Sequence, residues 1–194
     1  MHRRTYLASI GGAGALGVAG VGLVSSETTL SDPERLEESP RRRSLSFYDD
    51  GEEVANFGAD GTVDDGRIDV STELSHTDYT RVRSLELDVS MPSPDGDTAA
   101  NVAVVSPMTG DQGDPPAISL TPATDGPGTH IEIHDFDDLA DETISTLRLT
   151  VDPPAGATTL TLDATIALGN TKLLGDDYTL DGTLELAFSS LGGR

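Results

Sequence analysis

The chain has 194 residues, a formal net charge of −22 and neither cysteine nor tryptophan. That length fits one domain plus a tail, or two small domains. The missing cysteine excludes disulfides, thiolate metal sites, cysteine nucleophiles and lipid attachment at a cysteine, while 34 acidic against 12 basic side chains argue against a nucleic-acid partner or binding to an anionic lipid surface by charge.

Residues 1–24 read MHRRTYLASIGGAGALGVAGVGLV. Arg3 and Arg4 are followed by Thr5, Tyr6 and Leu7, and a weakly apolar run extends from Leu7 to Val24. This segment resembles a twin-arginine (Tat) export signal, in which two arginines, any residue, an aromatic or apolar residue and leucine precede an apolar stretch. Tyr6 stands where phenylalanine is commoner. The resemblance implies export of an already folded protein to the cell surface or exterior. A plain membrane anchor is the alternative. The 18-residue run is about 27 Å long as a helix, just short of a bilayer core of about 30 Å, and its six glycines weaken it as a span. No A-x-A triplet follows the apolar run to mark a cleavage site, and Val24-Ser25-Ser26 is the best substitute.

The acid is 23 Asp and 11 Glu, and Lys172 is the single lysine beside 11 arginines. Short carboxylates hold water and cations, whereas lysine's apolar stem adds surface that concentrated salt penalises. This balance resembles that of proteins from extreme halophiles, especially haloarchaea, where screening over about 3 Å or less suppresses self-repulsion.

Residues 25–43 are expected to form a disordered acidic linker. Leu30 and Leu36 are their only large apolar residues, and Pro33 and Pro40 interrupt any long helix. Asp32-Pro33-Glu34 is compatible with one helical turn capped by Asp32. Arg41-Arg42-Arg43 is the densest basic cluster and reads as the end of the linker.

From Ser44 to Leu191 the dominant period is two, the mark of half-buried strands. Leu45 and Phe47 open the domain, with a short piece at Val54 to Phe57. Ile68, Val70 and Leu74 predict a strand. Leu85, Leu87, Val89 and Met91 predict another, and Val82, out of phase with them, predicts a bulge near Arg83 and Ser84. Val102 to Val105 and Ile118 to Leu120 give shorter strands. Ile131 with Ile133, and Leu147 with Leu149 and Val151, give two more. Leu160 to Leu168 and Tyr178 to Phe188 alternate cleanly and predict an antiparallel pair. The expected fold is all-β: an antiparallel sandwich of eight or nine strands. Residues 139–151, LADETISTLRLTV, are similar to the phrase L-x-x-G-E-T-x-x-V-x-L-x-V of immunoglobulin-like extracellular modules, with Asp141 in place of glycine. The resemblance implies an immunoglobulin-like topology in preference to a jelly roll.

Three features carry candidate chemistry. His130, Glu132 and His134 alternate on one strand, so their side chains share a face at successive spacings of about 6.5–7 Å. Two imidazoles and a carboxylate are zinc ligands, which makes a metal-dependent binding protein or hydrolase the alternative function. Residues 56–67 overlay an EF-hand-type loop with Gly61 at its turn, but Gly58 and Arg67 occupy ligand positions and the loop fails as a calcium site. Asp135, Asp137, Asp138 and Asp141 form a denser acidic turn that reads as solvated surface. His76 reads as a lone surface histidine in a loop.

The chain has no G-x-S-x-G, S-x-x-K, H-E-x-x-H or glycine-rich phosphate loop, so catalysis is not the leading expectation. Few aromatics remain to build a sugar platform once Phe47, Tyr178 and Phe188 are placed inside. The reading is therefore an exported, non-catalytic β-sandwich module of the envelope or exterior. It has a structural or interaction role, no required cofactor and no partner or oligomeric state that the chain identifies.

Overall fold

A computed structural model describes residues 26–95, 100–107, 117–124, 127–134, 144–172 and 175–189. Among them twelve strands form two six-stranded sheets. The first sheet, in spatial order, contains β1 (Glu27–Leu30), β12 (Asp177–Ala187), β11 (Thr159–Asn170), β6 (Thr80–Ser90), β9 (Gly128–His134) and β8 (Ala117–Pro122). The second contains β2 (Glu34–Ser39), β3 (Arg42–Asp49), β4 (Glu52–Asp64), β5 (Arg67–His76), β10 (Ile144–Asp152) and β7 (Asn101–Pro107). Every pairing is antiparallel except β1 with β12. The protein is an all-β sandwich.

Alternation builds it. Inward positions such as Leu45, Phe47, Ile68, Leu87, Ile131 and Leu160 are essentially inaccessible and form one continuous core between the sheets. Full burial of each such side chain contributes about 1.5–3 kcal/mol before chain entropy is set against it. Two hairpins are closed by Asp-Gly pairs with positive φ at both residues, Asp50-Gly51 (48° and 88°) and Asp65-Gly66 (46° and 82°). That is the type I′ geometry whose twist matches paired strands. The expected bulge is present. Between Ala167 and Leu168 the partner on β6 jumps from Ser84 to Val82, so Arg83 is the extra residue. Its guanidinium reaches Asp177, Nη1 to Oδ2, at 3.0 Å.

Several expectations are corrected. The strand count is twelve among the described residues rather than eight or nine, chiefly because residues 26–43, expected with residue 25 as a disordered linker, are folded. They supply β1, β2 and the start of β3, so the folded unit begins well before Ser44. Backbone pairing, which needs no apolar side chain, holds them. Leu30 alone packs partly on the core, and β2 is exposed along its whole length. No helical turn forms at Asp32; β1 lies in one sheet and β2 in the other, and Pro33 passes close to Gly182 at the crossing. The short piece at Val54 to Phe57 is part of a 13-residue strand. That strand and β5 absorb residues 56–67 into a hairpin, which removes the calcium-loop geometry. His76 is not a surface loop residue: the inward period of β5 runs on through Thr72 and Leu74 to His76, which is buried.

Close approach between sheets occurs where β4 and β12 carry glycine. A Cβ at Gly61 would lie 2.7 Å from Phe188 Cζ, and one at Gly182 would lie 2.5 Å from Leu45 Cδ1. At the opposite end Tyr178 of β12 donates its hydroxyl to Asp49 Oδ2 of β3 at 3.2 Å, which joins the sheets by a polar contact. Burial, reinforced by this bond to a carboxylate, pushes the Tyr178 hydroxyl up to about 12.

Gly182→Ala is expected to lower unfolding stability by about 1–3 kcal/mol, because the added Cβ would force the fully buried Leu45 to shift; equilibrium urea unfolding reads this directly. Tyr178 also makes stability pH-dependent. The unfolded phenol ionises near pH 10 and the folded one near 12, so the contribution is complete below pH 10 and is lost as pH rises toward 12. Tyr178→Phe should cost about 1 kcal/mol at neutral pH, and the wild-type advantage should shrink across that alkaline window in parallel unfolding curves.

Candidate functional site

The outer face of the first sheet gathers most of the candidate chemistry. Strand register sets its rows. One runs Thr121, His130, Asp88, Asp163, Thr183 across β8, β9, β6, β11 and β12. The next runs Ser119, Glu132, Glu86, Thr165, Asp181 across the same strands. Two like-charge pairs are therefore directly opposed, Asp88 with Asp163 and Glu86 with Glu132, an arrangement that destabilises a sheet unless donors or salt relieve it.

Donors are supplied by the neighbours in each row. His130 Nδ1 lies 3.0 Å from Asp88 Oδ1 and donates to it. Thr183 donates to Asp163 at 2.5 Å, and Thr165 to Asp181 at 2.9 Å. Ser119 donates to Glu132 at 3.4 Å. A depression of about 200 Å³ lies over the β6, β11 and β12 part of the face, lined by Glu86, Asp88, Asp163, Thr165, Asp181 and Thr183. The result is a flat, hydroxyl-braced acidic surface, suited to cations and ordered water rather than to enclosing an organic ligand.

His130, Glu132 and His134 do share this face, as alternation requires. Their contacts diverge, however: His130 engages Asp88 on β6, while His134 Nδ1 lies 3.6 Å from Glu132 Oε1. Among the described residues no three His, Asp or Glu side chains are grouped to hold a metal ion. The acidic turn at Asp135, Asp137, Asp138 and Asp141 lies outside the described residues, as do Arg3, Arg4, Tyr6 and Leu7 of the export pattern. Sequence reasoning missed Asp88 and Glu86 as partners of the histidine strand, and Asp163 as the residue beyond Asp88. Each occupies an outward position in its own strand, but only register places them side by side.

On the outer face of the second sheet the arginine cluster is spent locally. Arg42 pairs with Glu38 at 3.1 Å and Arg43 with Glu37 at 2.9 Å, and Arg41 lies 5.7 Å from the centre of the Phe188 ring. Such exposed pairs contribute little stability but leave no concentrated positive patch. His76, inside the sandwich, has Nδ1 at 3.1 Å from both Thr77 O and Thr80 Oγ1. The carbonyl can only accept, so Nδ1 carries the proton, and the buried Nε2 has no partner among the described residues.

Fold and surface together define a two-sheet sandwich module with one strongly acidic face. The chain belongs to the family described as a domain of unknown function, DUF8121, which matches residues 27–190. That boundary coincides with the first residue of β1. No curated protein matches the chain. Among solved structures it is similar to the GAE domain of GGA2p from Saccharomyces cerevisiae, at 8% identity and a TM-score of 0.36, over 82% of this chain and 98% of that one. It is also similar to AvmM, which catalyses macrocyclization in alchivemycin A biosynthesis, at 12% identity and a TM-score of 0.35, over 70% of this chain and 89% of that one. Likeness at this level transfers no function.

Asp163→Asn keeps an acceptor for Thr183 while removing one of two opposed carboxylates. It should stabilise the protein by a few tenths of a kcal/mol, roughly the size of one cross-strand pair, at low ionic strength. The gain should vanish near 1 M salt, where charges are screened over about 3 Å; urea midpoints at the two salt concentrations test it.

Proposed function

We propose that this protein is an exported, non-catalytic β-sandwich module of the cell envelope or exterior, acting as a structural or interaction domain. The observation that carries the reading is the N-terminal pattern Arg3-Arg4-Thr5-Tyr6-Leu7 with its apolar run, placed directly ahead of a folded sandwich. A carrier of folded proteins suits a domain in which β1, the first strand, pairs with β12, the last, since that pairing completes only when the whole chain is present. The acidic outer face and the scarcity of lysine support a protein that works in concentrated salt, in keeping with the haloarchaeal resemblance of its composition. The phrase at residues 139–151 supports kinship with immunoglobulin-like extracellular modules; its second half is β10, an interior strand of the second sheet.

The test is localisation. Arg3→Lys combined with Arg4→Lys keeps the charge and removes the paired guanidinium groups. The variant should remain inside the cell while the wild-type protein is recovered outside the cytoplasm. Equal export of both would overturn the Tat reading.

A further inference from the structure

We infer that the outer face of the second sheet binds a neutral glycan chain, in a polar cleft that crosses β3, β4 and β5 and leads to the exposed ring of Tyr48. The inference deepens the proposed interaction role by naming the partner's chemistry. It rests on that role but not on the export signal.

The cleft has a volume of about 320 Å³, at the lower end of the range for small-ligand sites, roughly 300–1,000 Å³. Its floor is Gly58, at an outward position between Ser44 on β3 and Glu73 on β5. Glycine is depleted in strands because it packs against nothing. Here it leaves a notch in the middle of a sheet, where a Cβ would meet Ser44 Cβ at an ordinary 3.5 Å. Arg42 and Asp60 are opposed in register at one end, and an ion pair between them would close the cleft. Arg42 instead pairs with Glu38 at 3.1 Å, and the cleft stays open. Asp60 and Glu73 are exposed and have no hydrogen-bond or ion-pair partner among the described residues. Asn56 Nδ2 donates at 2.8 Å to the fully buried Ser46, which holds the amide in place and leaves its Oδ1 to accept.

These groups suit a ligand made of hydroxyls. Asp60 and Glu73 are diagonal neighbours across β4 and β5, about 7–8 Å apart at the backbone. Each carboxylate can accept from a different hydroxyl of one sugar ring. The same hydroxyls can accept from the Arg42 N–H groups that Glu38 does not use, and from Ser44 and Ser71. An anionic ligand is excluded, because Glu38, Asp60 and Glu73 outnumber Arg42, and Arg43 is paired with Glu37. A small ammonium ion would use the carboxylates but not the apolar surface beside them. Register sets Leu36 next to Ser44, and Leu36 is 44% exposed. Tyr48, 42% exposed, stands on the same face two positions beyond Ser46. Such side chains offer apolar surface to the C–H faces of sugar rings while polar neighbours bond the hydroxyl edges. Arg42 and Tyr48 are six residue steps apart on one strand, about 20 Å, so the surface accommodates several linked rings rather than one.

The test is isothermal titration of the full-length protein, held in a detergent that carries no sugar. The probes are six-ring neutral oligosaccharides of glucose, mannose and galactose, α- and β-linked, with oligogalacturonate as the acidic sugar and spermidine as the organic cation. At least one neutral series should bind, with a Kd that changes by no more than about twofold between about 0.5 M and about 3 M KCl, since no net charge is screened. Oligogalacturonate should not bind. Gly58→Gln fills the notch at a position with room for a Cβ, so it should keep the wild-type urea midpoint and abolish binding. Tyr48→Ala should weaken a six-ring ligand about tenfold and a two-ring ligand little. Binding by none of the neutral sugars, or undiminished binding by folded Gly58→Gln, overturns the inference. Spermidine binding that fades with salt and is lost in Asp60→Asn, Glu73→Gln, without any sugar binding, overturns it in favour of a cation site. None of these results depends on the route of export, which the arginine variant tests separately.

Discussion

The structure depends on one stretch of chain that belongs to both sheets. Residues 26–43 lay β1 along β12, cross at Pro33 and return as β2 along β3. The turn that follows continues to bridge: Pro40 O accepts from Ala187 N in the first sheet, and Arg41 O accepts from Gly61 N in the second. Two sheets packed only by apolar side chains are free to slide by small amounts, because dispersion contacts have little direction. Hydrogen bonds from one short segment to both layers fix their offset. The glycines at 61 and 182 can then face Phe188 and Leu45 in a tight fit, which only a fixed offset makes useful.

Much of this was readable in the chain. The alternation of Leu160 to Leu168 and of Tyr178 to Phe188 specified an antiparallel pair, which the structure then aligns from Thr159–Ala187 to Leu168–Tyr178. The phase slip at Val82 located the bulge, since a strand that must keep Leu85, Leu87 and Val82 all inward needs one extra residue between them. What failed to show was the N-terminal clamp. Periodicity detects strands through the side chains they bury, and β2 buries none. Its partners are backbone groups on β3, to which composition is blind. The same limit hid the extent of β4, where Gly58 and Gly61 interrupt the apolar signal while the ladder runs on.

The candidate face shows the corresponding limit for sites. A strand announces which of its residues share a face, so His130, Glu132 and His134 could be grouped from sequence. It does not announce its neighbours. Asp88 lies 42 residues from His130 along the chain, and only the pairing of β6 with β9 brings their side chains to 3.0 Å. The register then sets that motif in a field of carboxylates, hydroxyls and imidazole, in which His130, Thr165 and Thr183 each donate to a neighbouring acid.

The four outer strands of the two sheets have a further consequence, for crowding. An open sheet invites another copy to extend it, and molecules concentrated at a surface meet often. Here β1 is only four residues long, and β2 carries Glu34, Arg35, Glu37 and Glu38 in a fully exposed strand. At the far side β7 and β8 each finish on a proline, Pro107 and Pro122, which has no amide hydrogen to offer an incoming strand. Each rim thus resists templated addition by a different chemical means, and the sandwich can be packed densely without becoming the seed of a fibre.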